Sequence, residues 1–397
     1  MLAAYKTEIK PTEEQKRKIN QTIGVARFIK NMYIAHNREV YENGGPFVTA
    51  GDFSKWLNNG FVPNNPEYSW IKDVYAKSTK QAIINTEKAF KDFFKGLKGF
   101  PNFSKKKDQN VKMYFVKNDK RQFIFCERHR INIPTLGWVR LKEKGYIPIH
   151  NKNRTEVMIR SGTISQKADK YYVSVLVEQN APAVKEKAEQ NTAGLGIDLG
   201  IRDFAVRSDG EVHENINKTV EVKKLEKKMK REQRSLSRKY ENLKKRGEKS
   251  AAQKRANIDK NILRVQKLHK KLADIRLEYV KSVVIDMVRT KPQYITIEDL
   301  NIKGMMKNRH LSKAIAEQCF YRFKIWLEAK CKEYGIELRQ VSRLYPSSKL
   351  CSCCGHKKID LKLSDRVYHC NNCGHEMDRD LNASINLLNA TKYTVLT

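Results

Sequence analysis

The sequence predicts an α+β chain of several domains: a small antiparallel β-barrel interrupted by a helical lobe, then a mixed α/β domain with a cysteine-rich insertion. Three observations predict it. Short alternating runs between residues 111 and 178, with turn residues between them, read as barrel strands. A helical period fills most of the ninety residues after Pro11. In the second half, apolar β-branched runs that end on an acid alternate with helical segments and lead into paired cysteines.

In chain order, residues 2–9 alternate weakly and read as a first strand that belongs to the barrel. Thr12 is placed to cap a helix, and Gln15 completes a capping box. Gly44-Gly45-Pro46 and Val62-Pro63-Asn64-Asn65-Pro66 break the helical lobe. From Lys77 to Phe94 one helix carries Ala82, Ile83, Thr86, Ala89, Phe90 and Phe93 on one face, leaving Lys77, Gln81 and Lys88 for others. Lys170 to Val177 is the strongest barrel strand. The barrel therefore takes residues 1–10 and 105–180, and the inserted lobe 11–104. Residues 180–191 are polar and read as a linker, and a second domain fills 190–397. Within it, residues 221–280 hold 21 Lys or Arg against 8 Asp or Glu, punctuated by apolar residues at helical intervals. A basic helical hairpin over 220–280, turning near Arg246-Gly247-Glu248, follows.

Lys plus Arg outnumber Asp plus Glu by 79 to 44 over 397 residues, a net charge of +35. Solubility needs far less. A polyanionic partner accounts for the excess, because cations on phosphates release counterions. A basic membrane-binding surface is the rival, but no apolar run approaches the ~20 residues of a spanning helix. Residues 1–10 lack a signal-peptide core. A cytoplasmic, nucleoid-associated prokaryotic protein is expected.

The chemistry is expected from acids at strand ends. Asp198 ends an apolar run in GLGIDLGIRDFAV, with Gly200 allowing a tight bend beside it. Glu298 ends Tyr294–Ile297, and residues 335–341 alternate as a further strand. Asp380 opens a helix that runs to Leu388. Strand–strand, helix, strand, helix, strand, helix with acids at strand ends is the plan of a ribonuclease-H-like fold. Such an edge suits two Mg²⁺ ions ~3.5–4 Å apart, because Mg²⁺ prefers hard oxygen ligands. Asp198 would bridge both ions, with Glu298 and Asp380 completing the set. Asp378 is the alternative for the third position, or a helix cap. The nine histidines form no nucleophilic set.

Five of the eight cysteines lie between Cys351 and Cys373. Cys351-x2-Cys354-x15-Cys370-x2-Cys373 is the spacing of a structural zinc site, closed by four thiolates. Gly355 and Gly374 let each knuckle turn. Cys353 is a bystander or a substitute ligand for its neighbour. Cys126, Cys319 and Cys331 read as buried small hydrophobes.

On these residues the chain resembles the TnpB proteins of insertion sequences, compact RNA-guided DNA nucleases related to the type V CRISPR effectors. The resemblance covers nearly the whole chain. It is most specific in GIDLG around Asp198, IEDLN around Glu298, YPSSKLCSCCG from Tyr345 and CNNCGHEMDRDLNAS from Cys370. It implies a split RuvC nuclease whose acids map onto Asp198, Glu298 and Asp380, with two Mg²⁺. It also implies a zinc ribbon over 345–376, holding one Zn²⁺ on Cys351, Cys354, Cys370 and Cys373. The N-terminal part looks like the family's wedge barrel with a helical recognition lobe. Those parts read a short target-adjacent motif on duplex DNA. The helix over 76–94 looks like the relevant one, ending in the family's AF-x-x-FF pattern at Ala89, Phe90, Phe93 and Phe94. Lys77 and Gln81 could present donors to base edges. A guide RNA from the transposon end is implied as the partner that reads the target. The CSCC knuckle departs from the usual pattern and leaves ligand choice open. Three rivals remain: a non-catalytic zinc-ribbon DNA-binding regulator, a strand-transferring transposase and a miniature type V CRISPR effector.

Overall fold

A computed structural model describes residues 2–116, 124–150, 157–179, 193–245, 251–362 and 364–396, with no side chains described over 251–255. The chain divides into two compact units, residues 1–181 and 182–397. The expected linker at 180–191 and the expected hairpin turn at 246–248 lie outside the described residues.

The first unit is built on one antiparallel sheet. Its strands are β1 (Leu2–Lys10), β2 (Met113–Val116), β3 (Arg130–Ile133), β4 (Gly137–Leu141), β5 (Val157–Lys167) and β6 (Lys170–Gln179). Their order is β2-β5-β6-β1-β4-β3. Strand β1 is central, pairing with β6 from Leu2↔Glu178 to Ile9↔Tyr171 and with β4 at Ile9↔Leu141. The first ten residues thus join strands more than a hundred positions away, as the alternation of residues 2–9 suggests. Met113 and Phe115 of one edge strand share a core with Ile131 and Ile133 of the other, so the sheet curls. Among the described residues β2 and β3 do not pair. Strand β3 is continued by bridges from Cys126 to Ile131 and to His150. Over the described residues the expected barrel is a curled half-barrel.

Between β1 and β2 lie the helices α1 (Glu13–Glu42), α2 (Ala50–Lys55), α3 (Val62–Asn64) and α4 (Ala76–Phe94). Thr12 caps α1 through the capping box read from the sequence: the Gln15 backbone N–H donates to Thr12 Oγ1 at 3.3 Å, and the Thr12 N–H to Gln15 Oε1 at 3.0 Å. Tyr33, Phe53 and Phe90 centre an aromatic core of their own, with the Tyr33 and Phe53 ring centroids 4.7 Å apart.

The second unit holds a mixed sheet of β7 (Leu195–Leu199), β8 (Asp203–Arg207), β9 (Val212–Glu214), β10 (Tyr294–Glu298), β11 (Glu337–Val341) and β14 (Thr394–Val395), ordered β14-β11-β10-β7-β8-β9. Strands β7, β10 and β11 run parallel, while β8 turns back antiparallel on β7. A short hairpin, β12 (Val367–His369) and β13 (Glu376–Asp378), stands apart from this sheet.

The helices are α5 (Val220–Lys245), α6 (Ala251–Arg289), α7 (Ile302–Met305), α8 (Ser312–Gln318), α9 (Phe320–Tyr334) and α10 (Arg379–Leu388). Val283, Val284 and Met287 of α6, with Phe323 and Leu327 of α9, bury the face of the sheet that carries Leu195, Ile197 and Ile295. Side chains alternate along a strand, so Gly196 faces the other way, and there α10 lies. A Cβ on Gly196 would come within 2.0 Å of the Ser384 carbonyl oxygen and 2.5 Å of the Leu388 nitrogen. Glycine is what lets this helix touch the backbone of β7. Helices α5 and α6 pair, and Arg276 joins them to α8 by contacts to Glu226 at 2.9 Å and Glu317 at 3.1 Å. Among the described residues, no helix is long and apolar enough to cross a membrane.

Candidate active site and metal cluster

Strand pairing brings the first two acids together. Ile197 lies opposite Ile297 in the parallel β7–β10 pair, so Asp198 and Glu298 follow at adjacent strand ends. Asp380 sits in the first turn of α10, the helix that presses on β7. Burial raises the Asp198 carboxyl to about 7, and the negative charges of Asp380 and Glu298 add to the rise, while Arg379 opposes it. Glu298 is raised by burial and by its neighbour Asp299. Asp198 thus feels the charge of both other acids. Arg379 lies 3.2 Å from Asp380 as a local counter-charge.

The structure gives Asp378 a separate task. Its Oδ1 accepts from the N–H groups of Asp380 at 2.9 Å and Leu381 at 3.1 Å, capping α10. That is the capping role the sequence left open for it, and it orients the first turn that carries Asp380. Unlike the thiols described next, the oxygens of Asp198, Glu298 and Asp380 do not form a set lying within 4.8 Å of one another among the described residues. The edge is open. A cavity of about 410 Å³ adjoins Glu298, with Leu199 and Phe320 among its apolar walls and Lys303, Tyr321, Lys324 and Arg343 around it.

The sulfurs of Cys351, Cys354, Cys370 and Cys373 all lie within 4.8 Å of one another, a set that could hold a metal ion. Cys351 and Cys373 are 3.7 Å apart, and Cys354 and Cys370 3.6 Å. Four thiolates at ~2.3 Å from a tetrahedral ion would stand about 3.8 Å apart, so the set has the size of a filled site. Gly355 and Gly374, at φ +73° and +70°, make the left-handed turns of both knuckles. The Gly355 N–H donates to the Cys351 carbonyl at 2.9 Å, and the Gly374 N–H to that of Cys370 at 3.0 Å. Backbone hydrogen bonds reach the sulfurs as well, from His356 onto Cys354 and from His375 onto Cys373. Cys353 is exposed and outside the set, which resolves the CSCC ambiguity in favour of Cys351 and Cys354. Of the scattered cysteines, Cys126 and Cys331 are buried as expected, but Cys319 is half-buried, in a left-handed turn between α8 and α9.

In the first unit, Lys77 is exposed and Gln81 half-buried on α4. The Gln81 amide donates to Asn85 Oδ1 at 2.9 Å and borders a groove of about 400 Å³. Phe90 is buried as the helical period requires, but Phe94 is 59% exposed.

Some neighbours were not anticipated. Asn382 and Asn386 on α10 hydrogen-bond the backbone of the first knuckle. Their signal was two poor helix formers four residues apart inside a helix. Glu211, His213 and Asp286 form a second compact set with metal-like spacing. The buried Arg207 guanidinium already pairs with Glu211 at 2.8 Å and Asp286 at 3.0 Å, and also with Asp209. An arginine supplies the positive charge there.

Three family models match this chain. The IS605 OrfB "Helix-turn-helix domain" covers residues 1–46, the IS605 OrfB "Probable transposase" covers 172–309, and the "Cas12f1-like, TNB domain" covers 320–387. The chain is 28% identical to the "Putative RNA-guided DNA endonuclease InsQ" of Escherichia coli (strain K12), over 98% of this chain and 92% of that protein. It is 25% identical to the "TnpB-like protein L770" of Acanthamoeba polyphaga mimivirus, over 98% of this chain and 73% of that one.

Over nearly its whole length the chain is similar to TnpB-like proteins and RNA-guided endonucleases of this kind. The transposase match takes in Asp198 and Glu298, and the TNB match takes in the cysteine set, Asp380, Asn382 and Asn386. The helix-turn-helix match covers β1 and the unbroken α1, so residues 2–46 hold one helix instead of two. Among solved structures, CasPhi-2 (Cas12j) bound to crRNA aligns with this chain at a TM-score of 0.45 and 11% identity, over 98% of each chain.

Proposed function

We propose that the chain is an RNA-guided DNA endonuclease of an insertion sequence, cutting duplex DNA beside a short adjacent motif by metal-dependent phosphodiester hydrolysis. The observation that carries this reading is that the adjacent ends of β7 and β10 bear Asp198 and Glu298, and the helix packed against β7 bears Asp380 in its first turn. The strand order, three antiparallel neighbours followed by parallel β10 and β11, supports a RuvC-like domain at 190–397. The curled sheet supports a wedge over 1–10 and 105–180, with a recognition lobe at 11–104. The names of the related proteins add the RNA guide and the DNA substrate.

The three carboxylates offer hard oxygen ligands of the kind Mg²⁺ takes, and a pair of such ions is the arrangement suited to phosphodiester hydrolysis. Bound there, magnesium would supply the positive charge that stabilises the attacking and departing oxygens. Asp198, Glu298 and Asp380 would hold the ions, whose charge would offset the cost of ionising the buried Asp198. Arg379 keeps Asp380 oriented, and Asp378 fixes the helix start beneath it. The apolar and cationic cavity beside Glu298 suits a nucleotide of the strand being cut. Zinc in the four-cysteine set would be structural, because four thiolates leave no open position. Lys77 and Gln81 on α4 would face the adjacent motif, and the basic α5–α6 pair would take a phosphate backbone.

The test starts from the chain purified with its co-purifying RNA, which is sequenced to identify the guide. Duplex DNA matching that guide is then offered in Mg²⁺. Asp198→Ala should bind guide and target within about twofold of the parent, yet cut on the order of 10³-fold more slowly. Full cutting by this variant refutes the assignment. Cutting of a defined duplex by RNA-free protein refutes the guide.

A further inference from the structure

Helix α10 carries Asp380 at its first turn and, two and six residues later, Asn382 and Asn386. Asn382 is fully buried and Asn386 nearly so. Both are poor helix formers in a helix interior, and their amides turn away from the helix to the segment that begins the cysteine cluster. Asn382 donates to the Leu350 carbonyl at 2.6 Å and accepts from the Ser352 N–H at 2.9 Å. These two peptide groups flank Cys351 on either side. Asn386 donates to the Leu350 carbonyl at 2.7 Å and to the Ser347 carbonyl at 2.8 Å. Tyr345 closes the contact by donating its hydroxyl to the Asn386 carbonyl at 3.0 Å. The opposite side of α10 rests on β7 at Gly196, where no side chain would fit. One ten-residue helix is therefore gripped by the strand that ends in Asp198 and by the backbone around a cluster cysteine.

We infer that Asn382 and Asn386 are positioning residues through which the metal in the four-cysteine set fixes the place of Asp380 against Asp198. The inference rests on the proposed reading of both sites. Its chemistry is geometric. A metal bound to Cys351 immobilises the Leu350–Ser352 backbone, and the two amides carry that order into α10. Without the metal, the knuckle loses its cross-link and the amides hold a mobile partner. By linkage the effect is reciprocal: loosening α10 weakens the metal.

The experiment uses the full chain with its bound RNA and with Co²⁺ in the cysteine set, whose visible spectrum reports four thiolates. Amide hydrogen exchange is followed over Asp380–Leu388, with β10 as the internal control. Removing the metal by chelation should speed exchange in α10 at least tenfold and leave β10 unchanged. In Asn382→Ala and in Asn386→Ala, exchange in α10 should be fast already, chelation should add less than threefold, and metal affinity against a competing chelator should fall about tenfold. Asn382→Asp keeps the acceptor for Ser352 and should recover part of the protection. In the cutting assay, the Asn variants should raise the Mg²⁺ concentration for half-maximal rate with target affinity unchanged.

Equal chelation effects in parent and Asn variants overturn the inference. So does loss of protection in α10 and β10 together, which is general unfolding. The exchange and spectral readouts do not require cutting. If the parent proves to cut nothing while the coupling is observed, the nuclease reading fails and the coupling between cluster and helix stands.

Discussion

The second unit holds two candidate metal sites assembled in different ways. The four cysteines come from 23 consecutive residues, 351–373, and their sulfurs already stand at the spacing of a filled site. The three acids come from residues 198, 298 and 380, and they stay open. A local cluster of thiols made by two tight turns stays close without help. Buried carboxylates repel one another, so their closure must come from bound cations. Under the proposed reading, the thiols make a preassembled structural site and the acids a site that admits substrate and carries unfavourable charge until cations bind.

Four experiments would sharpen or break this contrast. The largest expected effect is at the permanent site. Cys370→Ser should reduce bound metal to background and cost about 4 kcal/mol or more in unfolding free energy, read by metal analysis and denaturant titration. Retention of metal and stability would put the two sites in the same class. At the open site the effects should separate in the other direction. Glu298→Gln and Asp380→Asn should each slow single-turnover cutting by about 10²–10³-fold. Neither should lower the melting temperature. A stability loss comparable to that of Cys370→Ser would show that the acids are structural.

The third experiment reads the reserve of charge directly. Burial and its neighbours raise the Asp198 carboxyl from 3.8 to about 7 in the folded chain. Protonation is therefore favoured by folding, and the group's stabilising contribution is complete below pH ~4 and lost as pH rises through ~7. With EDTA present, Asp198→Asn should match the parent at pH 4 and exceed it at pH 8 by on the order of 2–4 kcal/mol. Equal stabilities at pH 8 would mean that the acids do not burden one another. The smallest effect concerns the join between the two sites. Gly196→Ala places a methyl 2.0 Å from a backbone oxygen of α10, and no rotamer change can relieve it. A destabilisation of about 2–3 kcal/mol is expected from overpacking, with slower cutting and unchanged metal content. Parent-like stability would show that α10 does not rest on β7.

Much of this architecture is legible in the amino-acid order. The capping box at Thr12 and Gln15, the strand over residues 2–9, the helix over 76–94 and the acids at strand ends all follow from rules that act within a few residues. The cysteine pairing is equally plain, because two x2 knuckles are a local geometry. The open edge of the first sheet is not. Closure depends on whether β2 and β3 come near enough to pair, and alternation within each strand carries no information about that. The roles of Asp378 and Cys353 are likewise undecided at that level. Each belongs to a residue type that suits two tasks, and only the surroundings assign one.

The sequence by itself determined which residues are the candidates for chemistry here, since hard carboxylates and soft thiolates suit different ions by element and spacing. What tertiary structure alone decided is how those residues depend on one another. Asp198 is burdened because the fold buries it and α10 brings Asp380 near it. That helix stays where it is because Gly196 admits it, while Asn382 and Asn386 tie it to the cysteine knuckle. These contacts join backbone groups far apart in the chain, and a backbone group looks the same at every position until the fold chooses its partner.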